Sequence, residues 1–249
     1  APLLLARVAQ AIRQKQGEWL EAKQTPASFV LSTGDNLYGD ATDDAFKQLE
    51  REMLDVVQLP FVLVLGNHDV APSKYVWHTG RHGERGGRWI CPGPAFRLAD
   101  HLAAADTALV DITVINTNKL NGPIRRAPPG PAPAFYKSKD HGWWKEQKQS
   151  LERMLTARQD RWQIVVGHHP CEYVPLSTKE HGLPVVKWFT TTFMRGGMKS
   201  KQKRSGLAHI LRRSADLYLC GHQHLFAAMK LRPSSSRRTA ETRCAFVIV

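Results

Sequence analysis

The sequence predicts an α/β fold, and three observations support that prediction. Residues 61–65 form an unbroken apolar run, Phe-Val-Leu-Val-Leu, which is typical of a strand buried on both faces of a sheet. Residues 28–33 are predicted to form an earlier strand, and a helical pattern separates it from residues 61–65, so we expect a parallel β-α-β unit with a right-handed crossover. Similar runs recur at residues 162–166 and 216–220. With 42% hydrophobic residues in 249, the chain can bury a substantial core, which excludes disorder as the default.

The first part of the chain gives clear helix signals and then an ambiguous segment. Apolar side chains recur at helical spacing over residues 2–22, which predicts an amphipathic helix. Thr42 is placed to cap a second helix, because Asp43 and Asp44 follow it in the first turn. Residues 70–97 are rich in Gly, Pro, His and Arg and are predicted to form a long loop, anchored by its tryptophans.

The second part of the chain alternates strands, helices and two long loops. The predicted elements are a strand or strand pair at 107–116, a surface insertion at 118–140, a helix from 144 to 155, the strand at 162–166, a loop over 171–205, a helix at 206–213, and strands at 216–220, 225–231 and 244–249.

The domain organisation is predicted to be a single domain over residues 1–249, with loop insertions at 118–140 and 195–205. The chain opens on a helix and closes on an apolar strand, and we expect that last strand to lack sheet partners. On this basis the 249 residues are expected to be a fragment, cut inside the fold at both ends.

The chain is strongly basic, with a formal net charge of +13. Such a charge attracts phosphate-bearing partners through its long-range field. The positive residues cluster in predicted loops at 81–88, 199–204 and 232–243, and they are not interleaved with aromatic residues. This pattern favours solvated loops over a nucleic-acid interface.

Cysteine usage and hydropathy leave the cellular compartment open. The four cysteines show no CxxC spacing, and Cys220 and Cys244 are expected to be buried free thiols. No apolar run approaches the ~18 residues that a membrane span needs, and residues 1–14 lack the pattern of a signal peptide.

A glycine and then a metal-binding side chain follow each of four apolar runs. The four sequences are Gly34-Asp35-Asn36, Gly66-Asn67-His68-Asp69, Gly167-His168-His169 and Gly221-His222-Gln223-His224. Each one alone is more simply a turn or a structural histidine. Because chemistry in open α/β sheets collects at the carboxyl ends of strands, the repetition predicts one shared site.

The ligand types in these sequences suit transition metals that support phosphoryl chemistry. Carboxylate, amide and imidazole groups together bind zinc, iron or manganese. Two ions ~3.5–4 Å apart are typical of enzymes acting on phosphate esters, and they need a bridging anion. Asp35 is the carboxylate best placed for that role, while His222 and His224 can point into one volume and contact different ions.

The four motifs, in this order, resemble those of the calcineurin-like metallophosphoesterases. Tyr38, in Gly-Asp-Asn-Leu-Tyr, makes the chain more similar to the small, tartrate-resistant type of purple acid phosphatase. Gly87-Arg88-Trp89 and Glu180-His181-Gly182 add to the resemblance. It implies a four-layer α-β-β-α sandwich, in which helices flank two mixed sheets.

The resemblance also implies roles for individual residues and a pair of metal ions. The expected ions are Fe(III) with Fe(II) or Zn(II), with Mn(II) as an alternative. The implied roles are Asp35 as bridging ligand, Tyr38 and His224 on the ferric ion, Asn67, His168 and His222 on the divalent ion, His68 and His181 beside the substrate phosphate, and Asp69 orienting His68.

The implied activity is hydrolysis of phosphate monoesters, from small molecules or phosphoproteins, by a metal-bound hydroxide. Secretion or a lysosomal location is implied in the same way. The alternatives are a phosphodiesterase or protein phosphatase of the same superfamily, and a non-catalytic descendant that binds phosphate or nucleic acid.

One departure from the family pattern concerns its first motif, an aspartate at the end of the first strand. No aspartate precedes Asp35 in this chain. The ferric site therefore lacks one expected ligand, and we expect the fragment itself to bind one metal weakly and to be inactive.

Overall fold

The computed structural model describes nine segments of the chain. They are residues 2–38, 42–70, 72–103, 109–118, 142–156, 161–171, 207–222, 227–230 and 245–248. The predicted insertions beyond Asn118 and at 195–205, the loop that follows Cys171, Cys244, and the site residues His181 and His224 lie outside these segments.

The described segments contain helices and strands in alternation, numbered here in chain order. The helices are α1 (Pro2–Glu21), α2 (Asp43–Leu49), α3 (Asp55–Val57), α4 (Pro72–Gly80), α5 (Glu84–Gly87), α6 (Gly142–Thr156) and α7 (Leu207–Ser214). A π-helical turn (Glu50–Leu54) joins α2 to α3, and a 3₁₀ turn covers Leu98–Asp100. The strands are β1 (Val30–Leu31), β2 (Phe61–Val62), β3 (Trp89–Ile90), β4 (Phe96–Arg97), β5 (Val110–Val114), β6 (Trp162–Val166), β7 (Leu217–Cys220), β8 (Ala227–Lys230) and β9 (Ala245–Ile248).

The strands form two sheets. The smaller has the order β1-β2-β3, and its described strands are all parallel. The larger has the order β4-β5-β6-β7-β9-β8, with four parallel strands between β4 and β8, each of which pairs antiparallel with its neighbour. The larger sheet is mixed as expected, whereas the smaller is parallel in the part described.

The two sheets pack face to face, and helices cover their outer faces. Along residues 61–65, alternate side chains point to opposite sides. Phe61, Leu63 and Leu65 pack against α1 and the helical segment 49–57, while Val62 and Val64 pack against the larger sheet. On the far side of the larger sheet, α6 contacts β5 and α7. The molecule is therefore the four-layer α-β-β-α sandwich that the sequence predicted, and its 61–65 run is buried on both faces.

Several local predictions are confirmed almost to the residue. Helix α1 covers the predicted amphipathic segment, and β6 has the predicted bounds. The Thr42 hydroxyl accepts a hydrogen bond from the Ala45 backbone N–H at 3.2 Å, as expected of an N-cap. A helix start is recognisable from sequence because capping depends on neighbouring residues alone.

The loop predicted at residues 70–97 is wrong, because this segment contains α4, α5, β3 and β4. Trp89 organises it: the ring is 1% exposed, its Nε1 donates to the His78 carbonyl at 3.0 Å, and it stacks on the His78 ring. The glycines lie at helix ends and turns, and Gly83 caps α5 with φ of 85°. Burial of Trp89 among elements distant in the chain therefore determines the structure of this segment, although its composition is typical of a loop.

The expectation that the last strand lacks sheet partners is also wrong. Strand β9 pairs parallel with β7 on one side and antiparallel with β8 on the other. Among the strands that the structure describes, β9 therefore lies inside the larger sheet and not at its edge. Among the described helices, none has the length and apolarity that crossing a membrane requires.

Because side chains pack tightly on the outer face of the smaller sheet, a cavity made there should lower the stability of the protein substantially. Leu63 is fully buried, so Leu63→Ala should lower the free energy of unfolding by about 2–5 kcal/mol. The same change at Leu20, which is 60% exposed on α1, should cost less than about 0.5 kcal/mol. Urea denaturation followed by circular dichroism measures both, and equal losses in the two variants would contradict this packing.

Candidate metal centre

Four strand ends, two from each sheet, meet at one point. The residues following β1 and β2 belong to the smaller sheet, and those following β6 and β7 to the larger. The His168 Nε2 atom lies 3.3 Å from Asp35 Oδ2, 3.1 Å from Asn67 Oδ1 and 3.1 Å from His222 Nδ1. The structure therefore brings together the four side chains that the strand-glycine-ligand pattern predicted to converge.

The environment of His168 fits a bound cation. Its Nδ1 lies 2.8 Å from the Thr33 carbonyl oxygen, which can only accept, so Nδ1 carries a proton. In the neutral ring Nε2 then bears a lone pair, and it faces the oxygens of Asp35 and Asn67 and a nitrogen of His222. Such a group of electron-pair donors repel one another unless a proton or a metal ion lies among them.

Two glycines allow the strand ends to approach this closely. Gly34 has φ of 100°, and a Cβ there would overlap the His168 ring. A Cβ on Gly66 would overlap the backbone nitrogen and carboxylate of Asp35. Asp35 and His222 themselves have positive φ, 56° and 72°, a conformation that costs energy for residues other than glycine.

Asp69 holds two of the strand-end turns against each other. Its carboxylate is fully buried and accepts hydrogen bonds from the backbone N–H groups of Asn36, Leu37 and Gly66 at 2.9–3.1 Å. The Asn36 side-chain amide donates to it at 2.9 Å. These contacts connect the turn after β1 to the turn after β2. The predicted role of Asp69 in orienting the His68 ring remains a prediction.

Tyr38 and His68 line the open side of the centre. The Tyr38 hydroxyl donates to Asp35 Oδ2 at 3.3 Å, and the Tyr38 and His68 rings lie 4.4 Å apart. Tyr38 is 50% exposed, and His68 and Asn67 are exposed as well. Burial and the negative charge of Asp35 raise the pKa of Tyr38. Within the part of the chain that the structure describes, the solvent-exposed side chains of the centre therefore lie on this side.

The pKa of Asp35 reflects its burial and its two histidine neighbours, His168 and His68. Burial alone would raise the pKa of its carboxyl, but the hydrogen bond and charge of His168 and the backbone N–H and charge of His68 outweigh that effect. Together they lower the pKa of Asp35 to about 2. The carboxylate is therefore ionised over a wide pH range, which the bridging role predicted for Asp35 would require.

Sequence reasoning assigned no role to His169 and Thr117. His169 is 2% exposed, and burial first, then the charges of His168 and His222, lower its pKa well below the usual range. Ring nitrogens of His168, His169 and His222 all lie within 4.8 Å of one another. Thr117 belongs to Asn116-Thr117-Asn118, a polar run after β5 that could have been noticed as a fifth strand end, although no glycine precedes it.

The pKa of Asp35 predicts an acid-dependent loss of stability in metal-free protein. Because the pKa falls from 3.8 to about 2 on folding, the contribution is complete above about pH 4 and is lost as pH falls toward 2. Asp35→Asn abolishes this titration. Urea denaturation in EDTA between pH 2 and 5 should show a shallower decline in unfolding free energy for the variant than for the wild type. Identical slopes would contradict the assigned environment.

The chain is similar in sequence to curated acid phosphatases. The chain is 25% identical over 215 residues to tartrate-resistant acid phosphatase type 5 of Rattus norvegicus, covering 80% of this chain and 55% of that protein. It is 26% identical over 211 residues to purple acid phosphatase 4 of Arabidopsis thaliana, covering 79% and 52%. The chain thus spans about half the length of the curated relatives it matches.

A solved structure and a family model give the fold and the family. The structure of GAP50, described as the anchor in the inner membrane complex of Plasmodium, superposes with a TM-score of 0.56 at 18% identity, covering 96% of this chain and 66% of that one. At this identity the likeness concerns the fold alone. The family model for calcineurin-like phosphoesterases matches residues 5–226. The chain belongs to the calcineurin-like phosphoesterase family.

Proposed function

We propose that the protein is a metal-dependent phosphoric monoester hydrolase of the purple acid phosphatase type, with a dinuclear metal site. The observation that carries this proposal is the meeting of four strand ends at His168 Nε2, with three donor atoms within 3.3 Å. The names of the relatives, tartrate-resistant and purple acid phosphatases, support the choice of reaction.

The donor set divides into two sides that share Asp35. Asn67, His168 and His222 would hold a divalent ion, Fe(II), Zn(II) or Mn(II). Tyr38 and His224 would hold a ferric ion. The family pattern adds one further aspartate to the ferric side, which the residues before Asp35 do not supply. The divalent side is therefore the one that this chain can be tested for directly.

The residues on the open side would bind the substrate and assist the leaving group. Ions bound at the centre supply Lewis acidity that activates water and neutralises the charge of a phosphate ester. Asn67 turns its Oδ1 toward His168, so its amide N–H groups are available to a phosphate oxygen. The exposed His68 ring can donate a proton to the departing alkoxide, and we propose His181 as its partner.

The position of Tyr38 favours the purple acid phosphatase type over other phosphoesterases of the family. Its hydroxyl already contacts Asp35, the proposed bridging ligand, so the oxygen needs little movement to bind an ion there. A phenolate oxygen is a hard, anionic donor, and it therefore suits a trivalent ion such as Fe(III). The basic chain, at +13, would favour anionic substrates, either small phosphate esters or phosphoproteins. A secretory or lysosomal location is part of the same proposal.

The activity is tested with the full-length protein loaded with iron and zinc. We expect hydrolysis of p-nitrophenyl phosphate, and His222→Ala should lower kcat/KM at least about 100-fold because the divalent ion loses a ligand. His82→Ala, at an exposed histidine elsewhere on the surface, is the matched control and should retain the wild-type rate. Unchanged activity in His222→Ala would contradict the proposal. Hydrolysis of bis-p-nitrophenyl phosphate alone would indicate a phosphodiesterase.

The role of Tyr38 is tested by absorption spectroscopy of the same iron-loaded protein. A phenolate bound to Fe(III) produces a visible charge-transfer band, which Tyr38→Phe should abolish while the protein remains folded. A colourless but active wild-type protein would assign it to another phosphoesterase of the family.

A further inference from the structure

His169 is a buried imidazole for which the proposed ligand sets leave no role. It follows His168 at the end of β6 and is 2% exposed. Neighbouring residues of a strand normally point to opposite sides of the sheet. Here the strand has ended, and the rings of His168 and His169 lie with their centroids 4.8 Å apart, nearly perpendicular to each other. Both rings therefore reach the same region.

Thr117 fixes the orientation of the His169 ring. The Thr117 hydroxyl oxygen accepts a hydrogen bond from the His169 backbone N–H at 2.9 Å, and it lies 2.9 Å from His169 Nδ1. The Tyr218 hydroxyl donates to the His169 carbonyl oxygen at 2.7 Å. Because a hydroxyl oxygen has two lone pairs, it can also accept from a protonated Nδ1. That tautomer leaves a lone pair on Nε2, the atom at the far side of the ring.

The His169 ring lies close to both imidazoles of the proposed divalent site. Its centroid is 4.5 Å from that of His222, and ring nitrogens of all three histidines lie within 4.8 Å of one another. Two nitrogens that share an ion at about 2.1 Å lie at most about 4.2 Å apart. Three nitrogens on one ion must lie closer together still, so the three rings would have to move toward one another by a short distance to share an ion.

We propose that His169 is a further ligand of the divalent ion, through Nε2, and that Thr117 positions it. This inference rests on the proposed function, because it concerns the same metal site. It gives the divalent side three imidazoles with Asn67 and Asp35, a set of nitrogen and oxygen donors that suits Zn(II) or Fe(II) better than an oxygen-only set would.

The alternative is that His169 only fills space behind His168. Two buried imidazoles and a half-buried one in mutual contact make a poor packing cluster, because each ring has two polar nitrogens that need partners. A shared cation satisfies one nitrogen of each ring at once. Thr117 and the Thr33 carbonyl satisfy the opposite nitrogens of His169 and His168, which is the arrangement expected behind ligating histidines.

Equilibrium titration of metal-free protein with Co(II), a spectroscopic probe for the divalent site, tests the proposal. Affinity and the visible d–d spectrum are both recorded, so the readout does not depend on catalysis. His169→Gln keeps a polar side chain near Thr117 but removes the imidazole, and it should weaken Co(II) binding about 10–100-fold and alter the spectrum. Thr117→Val should weaken binding by a smaller factor. His82→Gln, at an exposed histidine, should leave both unchanged.

The outcomes separate this inference from the proposed function. Wild-type affinity and spectrum in His169→Gln would overturn the role of His169 and leave the proposed function standing. Absence of Co(II) binding by the wild-type protein would overturn both. If circular dichroism shows that His169→Gln does not fold, Thr117→Val decides: binding weakened severalfold supports the proposal, and unchanged binding overturns it.

Discussion

The His168 imidazole connects the two sheets of the molecule at their carboxyl ends. It extends from β6 of the larger sheet, and its Nδ1 bonds to the carbonyl of Thr33, which follows β1 of the smaller sheet. Its Nε2 faces Asp35 and Asn67, which also belong to the smaller sheet. The centre therefore exists only when the sheets are packed together, and the apolar contacts of Val62 and Val64 with the larger sheet are a condition for metal binding as well as for folding.

The turns that present the ligands are costly, and Asp69 compensates for part of that cost. Asp35 and His222 have positive φ, and Gly66 lies against Asp35 with no room for a side chain. A buried carboxylate accepting several N–H groups is a strong acceptor in a low-dielectric interior. Because Asp69 receives hydrogen bonds from both turns of the smaller sheet, it keeps Asp35 and Asn67 in place before any ion arrives. The site is thus preorganised by a residue that need not touch the ion.

Sequence patterns predicted the parts of this structure that depend on neighbouring residues. Local signals predicted the buried run at 61–65 and the helix cap at Thr42. The rule that parallel strands end at one edge of a sheet predicted that the ligand-type side chains would converge, and the structure brings together Asp35, Asn67, His168 and His222. Helix α4 and the pairing of β9 could not be predicted in this way, because burial of Trp89 and the return of β8 depend on distant contacts. His169 was overlooked for a related reason: its orientation depends on Thr117, 52 residues away in the chain.

The environment of Tyr38 indicates how its proposed chemistry depends on the metal. Without an ion, burial and the charge of Asp35 raise the pKa of the phenol, so Tyr38 donates a hydrogen bond to the carboxylate. A trivalent ion between these two oxygens would reverse the effect, because it attracts both the carboxylate and a phenolate. Without an ion, the phenol is neutral and hydrogen-bonded to the ionised carboxylate of Asp35, whereas both oxygens would be anionic ligands in the proposed ferric site. In the proposed dinuclear site, the stability of the ferric side would depend on how Asp35 shares its charge between the two ions, and this carboxylate would link Tyr38 to the divalent ion.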